Sequence, residues 1–387
     1  MKIVILTTDN RNHHGGSDLP EPYFGTAPTA LLEGLAKLPE VEVHVISCTG
    51  LRLNAPKKLS ENIYFHQPFV PKWGWGRSLF LGCVAATRRL IHEIHPDIVH
   101  GQGTERDCAM EAVLSGYPNV LTIHGIMQTV AKVQQAKTIS YYGMVSWLER
   151  FAVARTVGVF CNSAYTESQI APLARQTWRV PNCIRGEFCA PVQDESARER
   201  RVVVLGSIIH YKQPLEILKM WRGLAERYPK VILTFIGRSG GDRYSEEFRD
   251  LLADRSLGGK VEHFEWLEVD ELVSLLDSAR GMIHFPTEES FGLAVAEGLA
   301  RNLKLFASLI GGVPDVAAGC DAVEFFSADD WQGLSQSVSR WLGQGMPTAN
   351  SNPTIVSRFS SLAVASKHLE IYRSVIDHEC SLASGLE

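Results

Sequence analysis

Few folds can accommodate the run from Gly281 to Val316, GMIHFPTEESFGLAVAEGLARNLKLFASLIGGVPDV. Met282 to Phe285 is a short, mostly apolar run closed by Pro286 and Thr287, so it reads as a buried strand. Two carboxylates, Glu288 and Glu289, follow, and then Ser290-Phe291-Gly292. From Leu293 the period changes: Leu293, Val295, Ala296, Leu299 and Ala300 share one face of a helix. Asn302 is a stop signal, Leu303 to Ala307 is a second short apolar run, and Gly311-Gly312-Val313-Pro314 reads as a turn. The unit is strand, loop, helix, strand, with its polar residues gathered where the first strand ends. In an open parallel sheet that is the place where ligands bind.

A helix beginning near Gly292 leaves its first N–H groups without intrahelical partners, and these favour an anion such as a phosphate. Glu297 follows Gly292 by five residues, roughly 7–8 Å along the helix. Glu289, Glu297 and the N–H groups between them therefore span about the length of a sugar diphosphate with its ribose. Carboxylates are acceptors suited to sugar hydroxyls. The plainer alternative is a strand–helix pair with solvated glutamates, since charged side chains are mostly exposed.

The chain has 387 residues, enough for two domains of roughly 150–200 each. Its 45% hydrophobic and 21% charged content is that of an ordinary globular protein. No run approaches the ~18–20 apolar residues of a membrane span. Met1 to Thr7 is too short for a signal-peptide core and reads as a first buried strand. The eight cysteines, at 48, 83, 108, 161, 183, 189, 320 and 380, form no CxxC pair and no zinc-type spacing with histidine. They read as buried free thiols of a reducing cytoplasm. Residues 1–187 carry 18 Lys+Arg against 15 Asp+Glu, and the rest carry 20 against 28. That balance suits a solvated surface and gives no reason to expect a nucleic-acid partner.

Strand and helix patterns alternate through both halves, which predicts two parallel-sheet domains. In the first half, strands are expected over 2–8, 41–47, 96–100, 120–123 and 157–161, with a helix over 26–38. The loop over 9–24, with His13, His14, Gly15 and Gly16, is long for an α/β unit, and such loops are often functional. Ser163 is the expected N-cap of the helix after Cys161. Trp73, Trp75, Phe80 and Leu81 with Lys72, Arg77, Arg88 and Arg89 make either a membrane-surface patch or a packed loop before an amphipathic helix. The charged, apolar-poor stretch 191–201 marks the domain boundary. The second domain then runs through a strand over 202–205, Gly206-Ser207-Ile208-Ile209-His210-Tyr211-Lys212, and strands over 231–237 and 261–267. Asp329-Asp330 reads as a helix N-terminus rather than a metal site.

Glu289, seven intervening residues and Glu297, with Phe291-Gly292 between and Gly311-Gly312-Val313-Pro314 behind, resemble the nucleotide-sugar signature of the family 4 retaining glycosyltransferases. Asp315 stands where that pattern has Glu. The resemblance extends over nearly the whole chain. It implies the GT-B fold: two Rossmann-like α/β domains with parallel sheets facing a central cleft. The expected division is residues 1–188, an acceptor-side domain; 189–356, a donor-binding domain; and 357–387, a last helix crossing back to the first.

By that resemblance, Glu289, Lys212 and His124 are the candidate catalytic residues. The donor is expected on Gly206, Ser207, Lys212, Leu267, Glu289, Ser290, Phe291, Gly292, Leu293 and Glu297. Glu289 would hold hydroxyls of the transferred sugar, Glu297 the ribose, and Lys212 with the N–H groups near Gly292 the departing diphosphate. His124, in the His124-Gly125 dipeptide, would approach the hexose from the first domain. Gly25 and Thr26 occupy the loop where the family has two glycines. Val180-Pro181-Asn182 resembles the family's strand end, with Cys183 in place of glycine. Ser207 stands where the family has an arginine, and Arg238 or Arg243 is the candidate substitute. The resemblance implies a nucleotide-sugar donor, a glycan, lipid-linked or small-molecule acceptor, no cofactor and no metal. It also implies a cytoplasmic protein, with peripheral contact at the inner face of the membrane as an option. A non-catalytic nucleotide-sugar-binding partner subunit and a nucleotide-sugar epimerase of the same fold are the alternatives.

Overall fold

The computed structural model describes residues 1–11, 21–51, 54–137, 139–192, 198–254, 257 and 260–384. The chain divides into two compact units, Met1–Arg185 with Phe359–Glu387, and Gly186–Arg358. Of the boundary stretch 191–201, residues 193–197 lie outside the described residues, as do His13, His14, Gly15 and Gly16.

The first unit holds β1 (Lys2–Leu6), β2 (Glu42–Ile46), β3 (Lys58–Ser60), β4 (Ile63–His66), β5 (Ile98–Gln102), β6 (Asn119–Ile123), β7 (Gly158–Cys161) and β8 (Thr177–Arg179). They form one sheet in the order β3-β4-β2-β1-β5-β6-β7-β8, parallel except for the β3–β4 pair. In β1, Ile3 to Leu6 are all 0–1% exposed, as expected of a strand covered on both faces. Ser163 caps the helix Ala164–Ile170 by accepting the Thr166 N–H at 3.1 Å. The C-terminal helix Ser361–Ser384 packs on the helix Thr26–Leu35 so closely that a Cβ at Gly34 would lie 2.1 Å from the Ser361 carbonyl oxygen.

The second unit holds β9 (Arg201–Leu205), β10 (Ile232–Ile236), β11 (Val261–Phe264), β12 (Gly281–His284), β13 (Lys304–Ser308) and β14 (Val323–Phe326). Their order is β11-β10-β9-β12-β13-β14, all parallel. This is the doubly wound arrangement, and its strand order reverses between β9 and β12. One apolar core joins Val202, Trp221, Phe235, Ile283, Phe306 and Trp341 from strands and covering helices. Asp330 is the N-cap of the helix Trp331–Gly343, accepting the Gly333 N–H at 2.8 Å. The run Gly311 to Pro314 is a turn only as far as Gly312. Val313 already begins a short helix, Val313–Ala317, with Pro314 in its first turn, where no N–H is needed.

In the tryptophan-rich segment the packed loop before a helix, Leu81–Ile94, is the alternative the fold adopts. Phe80 is 2% exposed and belongs to the core, and Trp75 donates its indole N–H to the Val70 carbonyl at 3.0 Å. Trp73 and Leu81 remain on the surface, 72% and 54% exposed.

Candidate active site

The reversal point of the second sheet brings the ends of β9 and β12 together. After His284, Phe285 and Pro286 are buried and the chain leaves the sheet. The Thr287 N–H donates to the Tyr211 carbonyl at 2.8 Å, which ties this loop to the loop after β9. The Glu289 carbonyl accepts the Gly312 N–H at 3.0 Å. A Cβ at Gly311, whose φ is 52°, would lie 1.8 Å from that same carbonyl oxygen. The Gly311-Gly312 pair therefore fixes the Glu289 backbone by an approach that only glycine permits.

The Glu289 side chain is held as firmly. Its Oε2 accepts from Lys212 Nζ and from His284 Nε2, the latter at 3.1 Å. An ionised carboxylate only accepts, so His284 carries its proton on Nε2. The Glu289 and Lys212 side chains are 14% and 22% exposed, and that of His284 is 6% exposed. Burial pushes the Glu289 carboxyl up, but the Lys212 ammonium and His284 outweigh it and bring its pKa down to about 2. Burial likewise pulls Lys212 down, and Glu289 reverses this, so its pKa is raised. Both groups are charged at neutral pH. The result is a desolvated ammonium–carboxylate pair at the carboxyl edge of the sheet.

Gly206 and Gly237 end the neighbouring strands β9 and β10, and a Cβ at Gly237 would lie 2.1 Å from the Gly206 carbonyl oxygen. Ser207 follows and is exposed. The Ile208 N–H donates to the Arg238 carbonyl at 2.8 Å, so Arg238 lies directly beside the Ser207 loop. Its guanidinium stands over the Trp266 ring, 5.3 Å from the centroid. Arg243 instead projects from its helix, 92% exposed, and pairs with Glu247 one turn on at 3.0 Å. Leu267, just beyond β11, is half-buried.

Gly292 (φ 101°) is the N-cap of the helix Leu293–Ala300. Its carbonyl accepts the N–H groups of Val295 and Ala296, so Leu293 and Ala294 carry the first-turn donors. Ser290 and Leu293 are half-buried, and Phe291 and Glu297 are 3% and 6% exposed. The second unit thus gathers Lys212 and Glu289 into direct contact. It carries Gly206, Ser207 and the Gly292 helix on the loops of the same sheet edge.

His124 lies in the first unit, just beyond the end of β6. Its Nε2 donates to the Gln102 side-chain oxygen at 3.0 Å. Burial lowers its pKa, against the opposing effects of the Glu105 charge and of a hydrogen bond with Asn182, so the ring is neutral at neutral pH. Gln102 in turn meets His100, which is fully buried between Tyr372 and Thr122. Gly25 (φ 84°) precedes the helix Thr26–Leu35, and it and Thr26 are half-buried.

Sequence reasoning missed His284, Gln102 and the stitch at Tyr211. His284 did leave a signal. A polar residue ending an otherwise apolar strand must find a partner when buried, and two glutamates follow it at once. Gln102 and Tyr211 left none, because their partners come from other elements. A buried group of Cys48, Cys83, Asp107 and Glu111 was also invisible to spacing rules.

Known proteins resemble this chain along its length. Residues 27–185 match the family described as Glycosyltransferase Family 4, and residues 190–351 match Glycosyl transferases group 1. The phosphatidylinositol N-acetylglucosaminyltransferase gpi3 subunit of Schizosaccharomyces pombe is 21% identical over 303 residues, 74% of this chain. The chain spans 63% of that relative's length. Among solved structures, sucrose-phosphate synthase from Thermosynechococcus elongatus superposes with a TM-score of 0.77 at 16% identity, over 98% of this chain and 100% of that one. Anabaena HepE, solved with UDP and glucose, superposes with a TM-score of 0.71 at 16% identity, over 97% and 100%.

Proposed function

Because this chain belongs to the group 1, family 4 glycosyltransferases of GT-B fold, we propose that it moves a sugar from a nucleotide-sugar donor to a lipid-linked or glycan acceptor with retention of anomeric configuration. The observation that carries this reading is the Lys212–Glu289–His284 cluster at the strand-order reversal of the second sheet. When the bond between the anomeric carbon and the diphosphate breaks, negative charge grows on the leaving oxygen. Lys212 and the first-turn N–H groups at Leu293 and Ala294 are the groups of this unit suited to receive it. Glu289, ionised and oriented by His284, accepts hydroxyls of the transferred sugar. Glu297 is assigned to the ribose, and His124 to the hexose, by the family resemblance alone.

Ser207 removes one positive charge expected at the diphosphate. Arg238 is our candidate replacement, because it borders the Ser207 loop and, among the described residues, has no ion pair with a carboxylate, whereas Arg243 pairs with Glu247. No divalent cation is assigned to the donor, so turnover is expected to be indifferent to added Mg²⁺ or Mn²⁺. The S. pombe relative bears a lipid in its name, and HepE was solved with UDP. Those two facts favour a UDP-sugar donor and a lipid-linked acceptor as the first choices to test. Acceptor contact is assigned to an exposed apolar patch of the first unit, Trp73, Ile139 and Tyr141, bordered by Lys72 and Arg77. No helix among the described residues is long and apolar enough to cross a membrane.

The test is thermal stabilisation by UDP, GDP, ADP and dTDP and their sugar conjugates, followed by turnover assays with the donor that binds. A ligand at about 100 times its Kd stabilises by ~2.7 kcal/mol. Binding of one base together with transfer of its sugar supports the reading. Binding without transfer to any acceptor turns it into a non-catalytic partner subunit, and loss of donor without any acceptor points to an epimerase. No binding at all overturns it.

A further inference from the structure

Away from the donor site, three separate elements of the first unit bring four metal-ligating side chains to one point. Cys48 follows β2, Cys83 lies in the first turn of the helix Leu81–Ile94, and Asp107 and Glu111 stand four residues apart at the helix Cys108–Val113. One ligand atom from each lies within 4.8 Å of all the others. The Cys48 thiol is 3.1 Å from a Glu111 carboxyl oxygen. The four residues are 8%, 0%, 3% and 2% exposed, under a cover that includes Val70, Phe80, Val84, Met110 and Leu148. Among the described residues, one cation reaches either carboxyl group, Arg106, at 3.9 Å from Asp107.

We propose that Cys48, Cys83, Asp107 and Glu111 form a buried structural site for a single divalent zinc-class ion. The argument is geometric and chemical. A tetrahedral ion with bonds of about 2.3 Å to sulfur and 2.0–2.2 Å to oxygen sets its ligand atoms roughly 3.3–3.8 Å apart. The observed spread needs inward shifts of about an ångström or less. Two thiolates exclude the hard cations Ca²⁺ and Mg²⁺, and a closed four-ligand set is that of a structural rather than a catalytic zinc. Four anionic ligands leave the same net charge as a four-cysteine zinc site. Buried carboxyl groups are otherwise costly unless paired or bound to metal, and beyond the Cys48 thiol on Glu111, Arg106 is one cation for two carboxyl groups among the described residues. The ion would join β2, the Leu81 helix and the Cys108 helix, and so take part in folding the first unit.

The site is independent of the donor chemistry, so its test does not pass through glycosyl transfer. The full chain is purified from zinc-supplemented cells, gel-filtered and analysed for metal, and metal-free protein is titrated with Co²⁺. We expect one equivalent of zinc per chain to survive gel filtration. Co²⁺ is expected to produce a thiolate-to-cobalt charge-transfer band with tetrahedral ligand-field bands, bleached by Zn²⁺. Cys83→Ser and Glu111→Gln should lose the tight equivalent, while Cys380→Ser, an exposed control, keeps it. If Cys83→Ser does not fold, the wild-type stoichiometry and cobalt spectrum still decide. Folded wild-type protein that retains no metal and gives no thiolate–cobalt band overturns the site, as does metal that persists in both Cys48→Ser and Cys83→Ser.

Discussion

Glu289 concentrates the electrostatics of the second unit. A fall in its pKa from 4.5 to about 2 corresponds to ~3 kcal/mol of interaction favouring the ionised form. A depressed folded-state pKa contributes stability that is fully present above 4.5 and is lost as pH falls toward 2. Acid unfolding of the wild type should therefore steepen in that window, and Glu289→Gln should flatten it, as followed by circular dichroism. Glu289→Ala should abolish transfer while leaving binding of the bare nucleoside diphosphate largely intact. Turnover retained in that variant would remove Glu289 from the mechanism. Lys212→Ala removes the counter-charge of a desolvated carboxylate together with the phosphate contact proposed for it. It should lower turnover and cost about 3–5 kcal/mol of stability. Arg238→Ala should weaken diphosphate binding by about 1.5–3 kcal/mol, whereas Arg243→Ala should leave it unchanged. Equal effects of the two in a calorimetric titration would dismiss Arg238 as the replacement for the missing arginine.

Among the elements, the Gly311-Gly312 turn is the most exacting. It contributes no chemistry, yet its backbone lies against the Glu289 carbonyl. Gly311→Ala adds a methyl where 1.8 Å is free and demands φ near 52° of a residue that resists it. We expect at least ~1–3 kcal/mol of destabilisation and a fall in turnover with little change in nucleotide affinity, because Glu289 is displaced while the β9 loop is not. The strand–loop–helix unit around it was legible beforehand. Its apolar runs are short, its helix has a clear face, and glycine and proline punctuate it. Such local signals survive folding because they arise from sterics within a few residues. The stretch after Gly312 reads as a turn in the sequence because Pro314 marks a turn and a helix start alike; burial of Val313, Val316 and Ala317, beside the helix Leu293–Ala300, selects the helix.

Across the whole molecule, the two sheets have different demands. The first relies on the C-terminal helix, which buries Val364, Ala365, Leu369, Tyr372 and Val375 in the core of the first unit. Ending the chain at Ser360 should leave that core open and give aggregated protein. Tyr372→Phe should cost about 1–3 kcal/mol by leaving His100 without one of its buried partners. The surface patch makes a separate prediction. Trp73→Ala should reduce flotation with anionic vesicles while leaving the unfolding free energy within about ±0.5 kcal/mol of the wild type.

By itself the sequence determined the alternation of strands and helices, the mainly parallel character of both sheets, the loop that carries Glu289 and the helix that carries Glu297. All of these depend on periodicity, chain stiffness and capping, which act over a few residues. Only tertiary structure decided that His284 and Lys212 share one carboxylate oxygen, that Gly311 presses on Glu289, that Arg238 borders Ser207 and that Cys48 meets Glu111. Apart from the five-residue step from His284 to Glu289, each of those contacts joins residues whose separation along the chain says nothing about their separation in space. They are set by which strand lies beside which, and that order is a property of the packed sheet.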